Sequence, residues 1–129
     1  ANADMVGHTG NLQAAIKAIE FLDVAIGRLY AKVFEKDGIM LITADHGNAE
    51  EMINFQTGDV DTEHSINPVP FWIVGKKFMT DTLPVKPEEE VVGGTLADIA
   101  PTILELLDLK KTEEMVGESL IGKVGKLAI

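Results

Sequence analysis

Each histidine of this sequence stands close to an acidic residue. Asp4 and His8 come from DMVGH, Asp45 and His46 from ADHG, and Glu63 and His64 from TEH. Imidazole nitrogen with carboxylate oxygen is a donor set suited to Zn²⁺, Mn²⁺ or Fe²⁺. It is too rich in nitrogen for Ca²⁺ or for a purely Mg²⁺ site. Any one of these pairs alone reads equally well as a solvated loop pair. Asp4 then serves a turn or a helix start, and His64 is plain surface in an acidic loop. What weighs toward a shared site is coincidence, since each pair flanks a stretch that reads as a core element, and on composition and spacing alone the two readings stay open. Asp45 and His46 follow the apolar run Ile39–Thr43, and sites in open α/β sheets gather at the carboxyl ends of strands. Neighbouring strand residues point to opposite faces. The two side chains therefore converge only if the chain turns after Thr43, where Gly47 would relieve crowding.

The elements that must carry these residues are legible in outline. From Asn11 to Lys36, Leu12, Ala15, Ile16, Ile19, Leu22, Ile26, Leu29 and Val33 recur at spacings of three and four. That pattern predicts an amphipathic helix. Asn11 or Thr9 would cap its start, and Asp37-Gly38 would end it. The continuous run Ile39–Thr43 reads as a strand buried on both faces, as in a parallel sheet. The segment AEEMINF reads as a helical turn or an edge strand, and Gln56 to His64 as a loop or hairpin tip around Gly58. Asn67 to Gly75 predicts a second strand, with Pro68 and Pro70 at its tolerant beginning. Thr95, with Asp98 three residues on, forms the signature of a capping box. It opens a helix through Leu107 whose first turn Pro101 should bend. A further short helix is expected between Lys110 and Ile129. The order helix, strand, loop, strand, helix predicts a piece of an α/β sandwich. Two strands are too few for such a sheet, so the others must come from elsewhere in a longer chain or from another copy.

The bulk composition narrows the function. The chain has 129 residues, 46% of them hydrophobic, which is enough for a small folded domain. Its formal net charge is −10, the wrong sign for sequence-independent nucleic-acid binding or for anionic membranes. An anionic substrate would need positive charge from metal ions. No apolar run approaches the roughly 20 residues that span a bilayer. No leader pattern precedes the first element. Cysteine is absent, so thiolate ligands and disulfides are excluded. The abrupt start at ANADMVGHTG reads as part of a larger protein.

Four stretches together resemble one family: NADMVGHTG (Asn2 to Gly10), LITADHGNAEEM (Leu41 to Met52), EHSINPVPF (Glu63 to Phe71) and LADIAPTILELL (Leu96 to Leu107). Met115 to Ile121, MVGESLI, is similar to that family's C-terminal signature. The family is the cofactor-independent (2,3-bisphosphoglycerate-independent) phosphoglycerate mutases, within the alkaline-phosphatase-like group. Asp-His-Gly alone recurs across the wider group, whereas TADHGNAE with DMVGHTG is far more specific. Ala3, Glu63 and Ile66 depart from residues common there, and none is an inferred ligand.

The resemblance implies an α/β fold, a partial alkaline-phosphatase-like α/β/α sandwich whose C-terminal segment lacks several sheet strands. Residues 1–129 would form that segment of the metal-binding phosphatase-like domain, without the inserted transferase domain. It implies two divalent ions, expected to be Mn²⁺ with Mg²⁺, Zn²⁺ or Co²⁺ as substitutes, and no bisphosphoglycerate cofactor. Asp4, His8 and His64 would ligate the first ion, and Asp45 and His46 the second. The family's Ser nucleophile and a further Asp come from another part of the chain. The resemblance thus implies an isomerase that interconverts 3-phosphoglycerate and 2-phosphoglycerate through phosphoserine, in glycolysis and gluconeogenesis, in the cytoplasm. This chain alone would be inactive and would carry no catalytic residue. Exposed strand edges would favour a homodimer, and neither nucleic acid nor membrane is an expected partner. Two other readings compete. One is a different alkaline-phosphatase-like enzyme, such as a phosphopentomutase, phosphatase or phosphodiesterase. The other is a non-catalytic, self-associating module in which the histidines are incidental.

Overall fold

The computed structural model describes residues 2–80, 93–122 and 127–128. The chain forms two compact units, Ala1–Lys76 and Lys77–Ile129.

The first unit begins with helix α1, Asn2–Gly7. The stretch around Asp4 and His8 is therefore helical and not the loop its polar and Gly-rich composition implied. Gly10, at φ 67°, turns the chain into helix α2, Leu12–Glu35. The Asn11 side chain accepts a hydrogen bond from the Ala14 N–H at 3.0 Å, the expected N-cap. At the other end Asp37 takes the left-handed conformation, φ 57°. The Asp37 N–H donates to Phe34 C=O and the Gly38 N–H to Val33 C=O. This is a Schellman ending, with Asp where Gly is commonest.

Strand β1, Met40–Thr43, pairs with β2, Phe71–Val74. The pairing is antiparallel, in the register Met40↔Val74 to Thr43↔Phe71. The expectation of a parallel strand buried on both faces is thus corrected. β1 is only half-buried, and its partner returns along it after the loops that carry His46 and His64. An unbroken apolar run marks hydrophobic side chains on both faces, not their burial or the direction of the neighbouring strand. Those loops are tied by isolated antiparallel bridges, Gly47↔Ser65 and Ile53↔Val60. The Ile53↔Val60 bridge closes a small hairpin whose tip holds Gly58 at φ 77°, so the expected tip, Gln56 to His64, begins a few residues earlier and its end runs on as a loop. The core of this unit is small: Ala15, Met52 and Ile73 are its buried hydrophobic side chains.

The second unit carries a 3₁₀ turn at Lys76–Phe78, which starts at the last residue of the first, and β3, Met79–Thr80. A second 3₁₀ turn, Leu96–Asp98, leads into helix α3, Ile99–Leu106. The capping box of Thr95 and Asp98 is present. Pro101 is the third residue of α3, early enough that its missing N–H removes no bond within the helix. The fully buried Thr102 hydroxyl donates to Asp98 C=O at 2.6 Å and accepts from the Leu120 N–H at 2.9 Å. Strand β4, Leu127–Ala128, pairs parallel with β3. No helix follows α3 among the described residues. The stretch that follows is irregular: Gly117 packs closely on Ala97 of the 3₁₀ turn, and the Leu120 N–H bonds Thr102 of α3.

Candidate metal centre

Helix geometry makes the first half of the site. Residues four apart share one helix side, so Asp4 on α1 and His8 just beyond it face the same way. Their Oδ1 and Nε2 atoms lie 3.2 Å apart. The second loop delivers His64, whose Nε2 is 3.2 Å from Asp4 Oδ1 and 3.1 Å from His8 Nε2. Three potential ligand atoms from positions up to 60 residues apart thus form a nearly equilateral triangle.

The donor chemistry of that triangle fits a cation. His8 Nδ1 lies 2.6 Å from Thr62 C=O. A carbonyl only accepts, so Nδ1 carries a proton, and in the neutral ring Nε2 then presents its lone pair to the cluster. This is the outer contact that characteristically orients a metal-ligating histidine. Asp4 as a carboxylate brings no proton either. At most one N–H, from His64, serves three atoms, whereas a divalent ion satisfies all of them. Ligand atoms around an ion held at about 2.0–2.2 Å lie about 3 Å apart, the spacing found here.

Asp45 and His46 are adjacent to this triangle but not part of it. The His46 ring stacks on His64, with centroids 3.6 Å apart and an interplanar angle of 20°. Its Nδ1 faces Gly47 C=O at 3.2 Å, which directs Nε2 toward Asp45 Oδ1 at 3.6 Å. β1 ends at Thr43, and beyond it the Asp45 and His46 side chains approach each other. The Asp45 side chain is 89% exposed, with His46 as its nearby histidine. Gly47 has no unusual φ. A Cβ there would collide with Glu50 Oε1 and Ser65 Oγ, so the glycine admits the neighbouring loop rather than enabling the turn.

Glu50 was not apparent as a site residue in the sequence. Its carboxylate accepts from the Asn48 N–H at 2.7 Å, from the Ser65 hydroxyl and from Asn67 Nδ2 at 3.2 Å. Asn67 Nδ2 also donates to Glu51 at 2.8 Å. Burial pushes the Glu50 carboxyl up, but the hydrogen bonds from Ser65, Asn48 and Asn67 outweigh it and hold it below the usual range. The Ser65 hydroxyl thus serves as a donor to the Glu50 carboxylate. Asn48 is buried, and its Nδ2 donates to Glu63 C=O at 3.2 Å. The available signal was slight: Asn48 and Glu50, like Ser65 and Asn67, are polar residues two apart in the few positions after a histidine.

A profile of the Metalloenzyme superfamily matches residues 1–111. The 2,3-bisphosphoglycerate-independent phosphoglycerate mutase of Clostridioides difficile (strain 630) is 53% identical over 123 residues, 95% of this chain and 23% of that protein. The protein of the same name from Pseudomonas savastanoi pv. phaseolicola is 50% identical over 121 residues, 94% of this chain and 22% of its own length. A crystal structure of Leishmania mexicana phosphoglycerate mutase, at low cobalt concentration, aligns with a TM-score of 0.70 at 29% identity. It covers 90% of this chain, which covers 23% of it. The fold is accordingly a part of the α/β, alkaline-phosphatase-like architecture. The chain spans less than a quarter of the length of these relatives.

Proposed function

We propose, for a chain that belongs to the metalloenzyme superfamily, that it is the C-terminal metal-binding segment of a phosphoglycerate mutase. The observation that carries this reading is the triangle of Asp4, His8 and His64, with His8 already fixed in its ligating tautomer by Thr62. It lies within the stretch that matches cofactor-independent mutases at about half identity. In this reading Asp4, His8 and His64 hold one divalent ion and Asp45 and His46 contribute to a second. Mn²⁺ is the favoured ion, with Co²⁺, Mg²⁺ and Zn²⁺ as substitutes, as the resemblance to the mutases implies; a donor set of imidazole with carboxylate accommodates it. Such ions polarise phosphoryl oxygens and lower the pKa of a bound hydroxyl.

The chain's own part is to hold donors in place beside an anionic substrate. The imidazoles are neutral donors, so only the carboxylates of Asp4 and Asp45 oppose the charge of the ions. That is how a chain of net charge −10 serves the interconversion of 3-phosphoglycerate and 2-phosphoglycerate. The nucleophilic Ser and the groups that bind phosphoglycerate lie outside the matched motifs. The isolated chain therefore binds metal but does not turn over substrate. The cytoplasm is the compartment this reading assigns. Among the described residues no helix is long and apolar enough to cross a membrane.

An exposed apolar face favours a second property alongside this one. Phe21, Val24 and Leu29 of α2 are each more than 60% exposed, and in the described residues β1 and β2 pair only with each other. These surfaces would pack on further chain in a protein of the relatives' length, and drive self-association without it. The test is an assay of the pure chain for mutase and general phosphatase activity beside Mn²⁺ titration by calorimetry. Saturable binding without turnover is expected. Turnover by the chain alone, or no metal binding, contradicts the proposal.

A further inference from the structure

We propose that Asn48 and Glu50 are positioning residues that join the histidine-bearing segments into one metal centre. The inference rests on the metal-site reading above and adds what holds that site together.

The three segments come from distant parts of the sequence and share little packed apolar surface. The turn at residues 48 to 50 touches all of them. Asn48 Oδ1 packs against Gly7, so closely that a Cβ at Gly7 would occupy its place. That oxygen is buried without a conventional hydrogen-bond partner, and Gly7 directly precedes His8. The same amide donates through Nδ2 to Glu63 C=O at 3.2 Å, and Glu63 directly precedes His64. The Asn48 backbone N–H donates to Glu50, whose carboxylate takes the Ser65 hydroxyl and an Asn67 N–H. Ser65 directly follows His64. His64 is thus gripped on both sides, by Asn48 through Glu63 and by Glu50 through Ser65. The Gly47↔Ser65 bridge then holds the segments that carry His46 and His64 side by side, and the two rings stack.

Neither residue touches the ligand triangle, so each acts through the backbone that carries a ligand. Outer contacts of this kind typically change metal affinity by about 10- to 100-fold when removed. Asn48 has both functions of its amide engaged, one by a hydrogen bond and one by close packing. Asp is nearly isosteric but lacks the N–H₂ that holds Glu63, so it is the sharper replacement there. Gln at position 50 keeps an acceptor for Ser65 and provides the conservative rescue.

The experiment uses the 129-residue chain and its N48D, E50A and E50Q variants, with T102A as a control that removes a buried bond in the other unit. Imidazole ¹⁵N resonances are recorded without metal, and Mn²⁺ binding is titrated below each variant's melting point. In E50A and N48D the His8 and His64 resonances should shift, and Mn²⁺ affinity should fall about 10- to 100-fold. E50Q should recover most of both. T102A should lower the melting temperature and leave both unchanged. Unaltered resonances and affinity in E50A and N48D would overturn the proposal, as would T102A reproducing their effects. A parent chain that binds no Mn²⁺ would instead overturn the metal reading, and the metal-free spectra alone would then decide the positioning claim.

Discussion

Helix α2 and the loops around His64 solve the problem of holding a shape by different means. α2 has 24 residues, of which only Ala15 is buried, and it is fixed at its ends. Asn11 closes one terminus and the Asp37-Gly38 turn the other. The loops have few apolar groups but are cross-linked by polar contacts between positions 15 to 17 residues apart. Local rules thus specify α2, whereas the candidate site depends on contacts that exist only after the chain has folded. Catalytic geometry often lies on loops for this reason, held by a scaffold but free of its periodicity.

The sharpest way to break this contrast is Gly7→Ala. Its Cβ would collide with the buried Asn48 amide, so the loops should lose about 1–3 kcal/mol in urea unfolding, the usual cost of overpacking. A neutral outcome would show that the loops yield easily. Asn11→Ala should cost α2 about 1 kcal/mol, visible as lost helicity near the N-terminus in hydrogen exchange. It should leave Mn²⁺ affinity unchanged. The third effect is smaller and depends on pH. The Glu50 carboxyl is lowered in the folded chain. Its contribution is therefore complete above the unfolded carboxyl value and is lost as pH falls through the lower folded value. Comparing the chain with E50Q between neutral and acid pH should show the stability gap narrowing on acidification. A constant gap would assign the Glu50 contacts no charge dependence. Smallest of all, Phe21→Glu on the exposed side of α2 should change monomer stability by less than about 0.5 kcal/mol. It should also reduce self-association in light scattering. A large loss of stability would mean that the face is covered within the chain.

The same contrast explains what the sequence disclosed. The period of α2, the caps at Asn11 and Thr95 and the strand Phe71–Val74 are local signals and were readable. β1 was readable as a strand, but its antiparallel partner and half-burial were not, because a run of apolar residues does not encode its neighbours. His8, His46 and His64 stood out by residue type. That Asp4 lies in a helix with His8 one residue past its end was hidden by the glycines and polar residues around α1. Asn48, Glu50, Thr62 and Ser65 look like ordinary polar loop residues. Their significance lies in partners such as His8 and Thr62, 54 positions apart, and no local pattern encodes that distance.

The central claim is that Asp4, His8 and His64 hold a divalent ion, and calorimetric titration of Mn²⁺ into the chain and its H64A variant tests it most directly. Saturable one-to-one binding is expected in the parent, with a loss in H64A greater than the roughly 100-fold that removal of an outer contact can cause and with D45A leaving that event in place. Equal binding by the parent and H64A, or none by either, would contradict it.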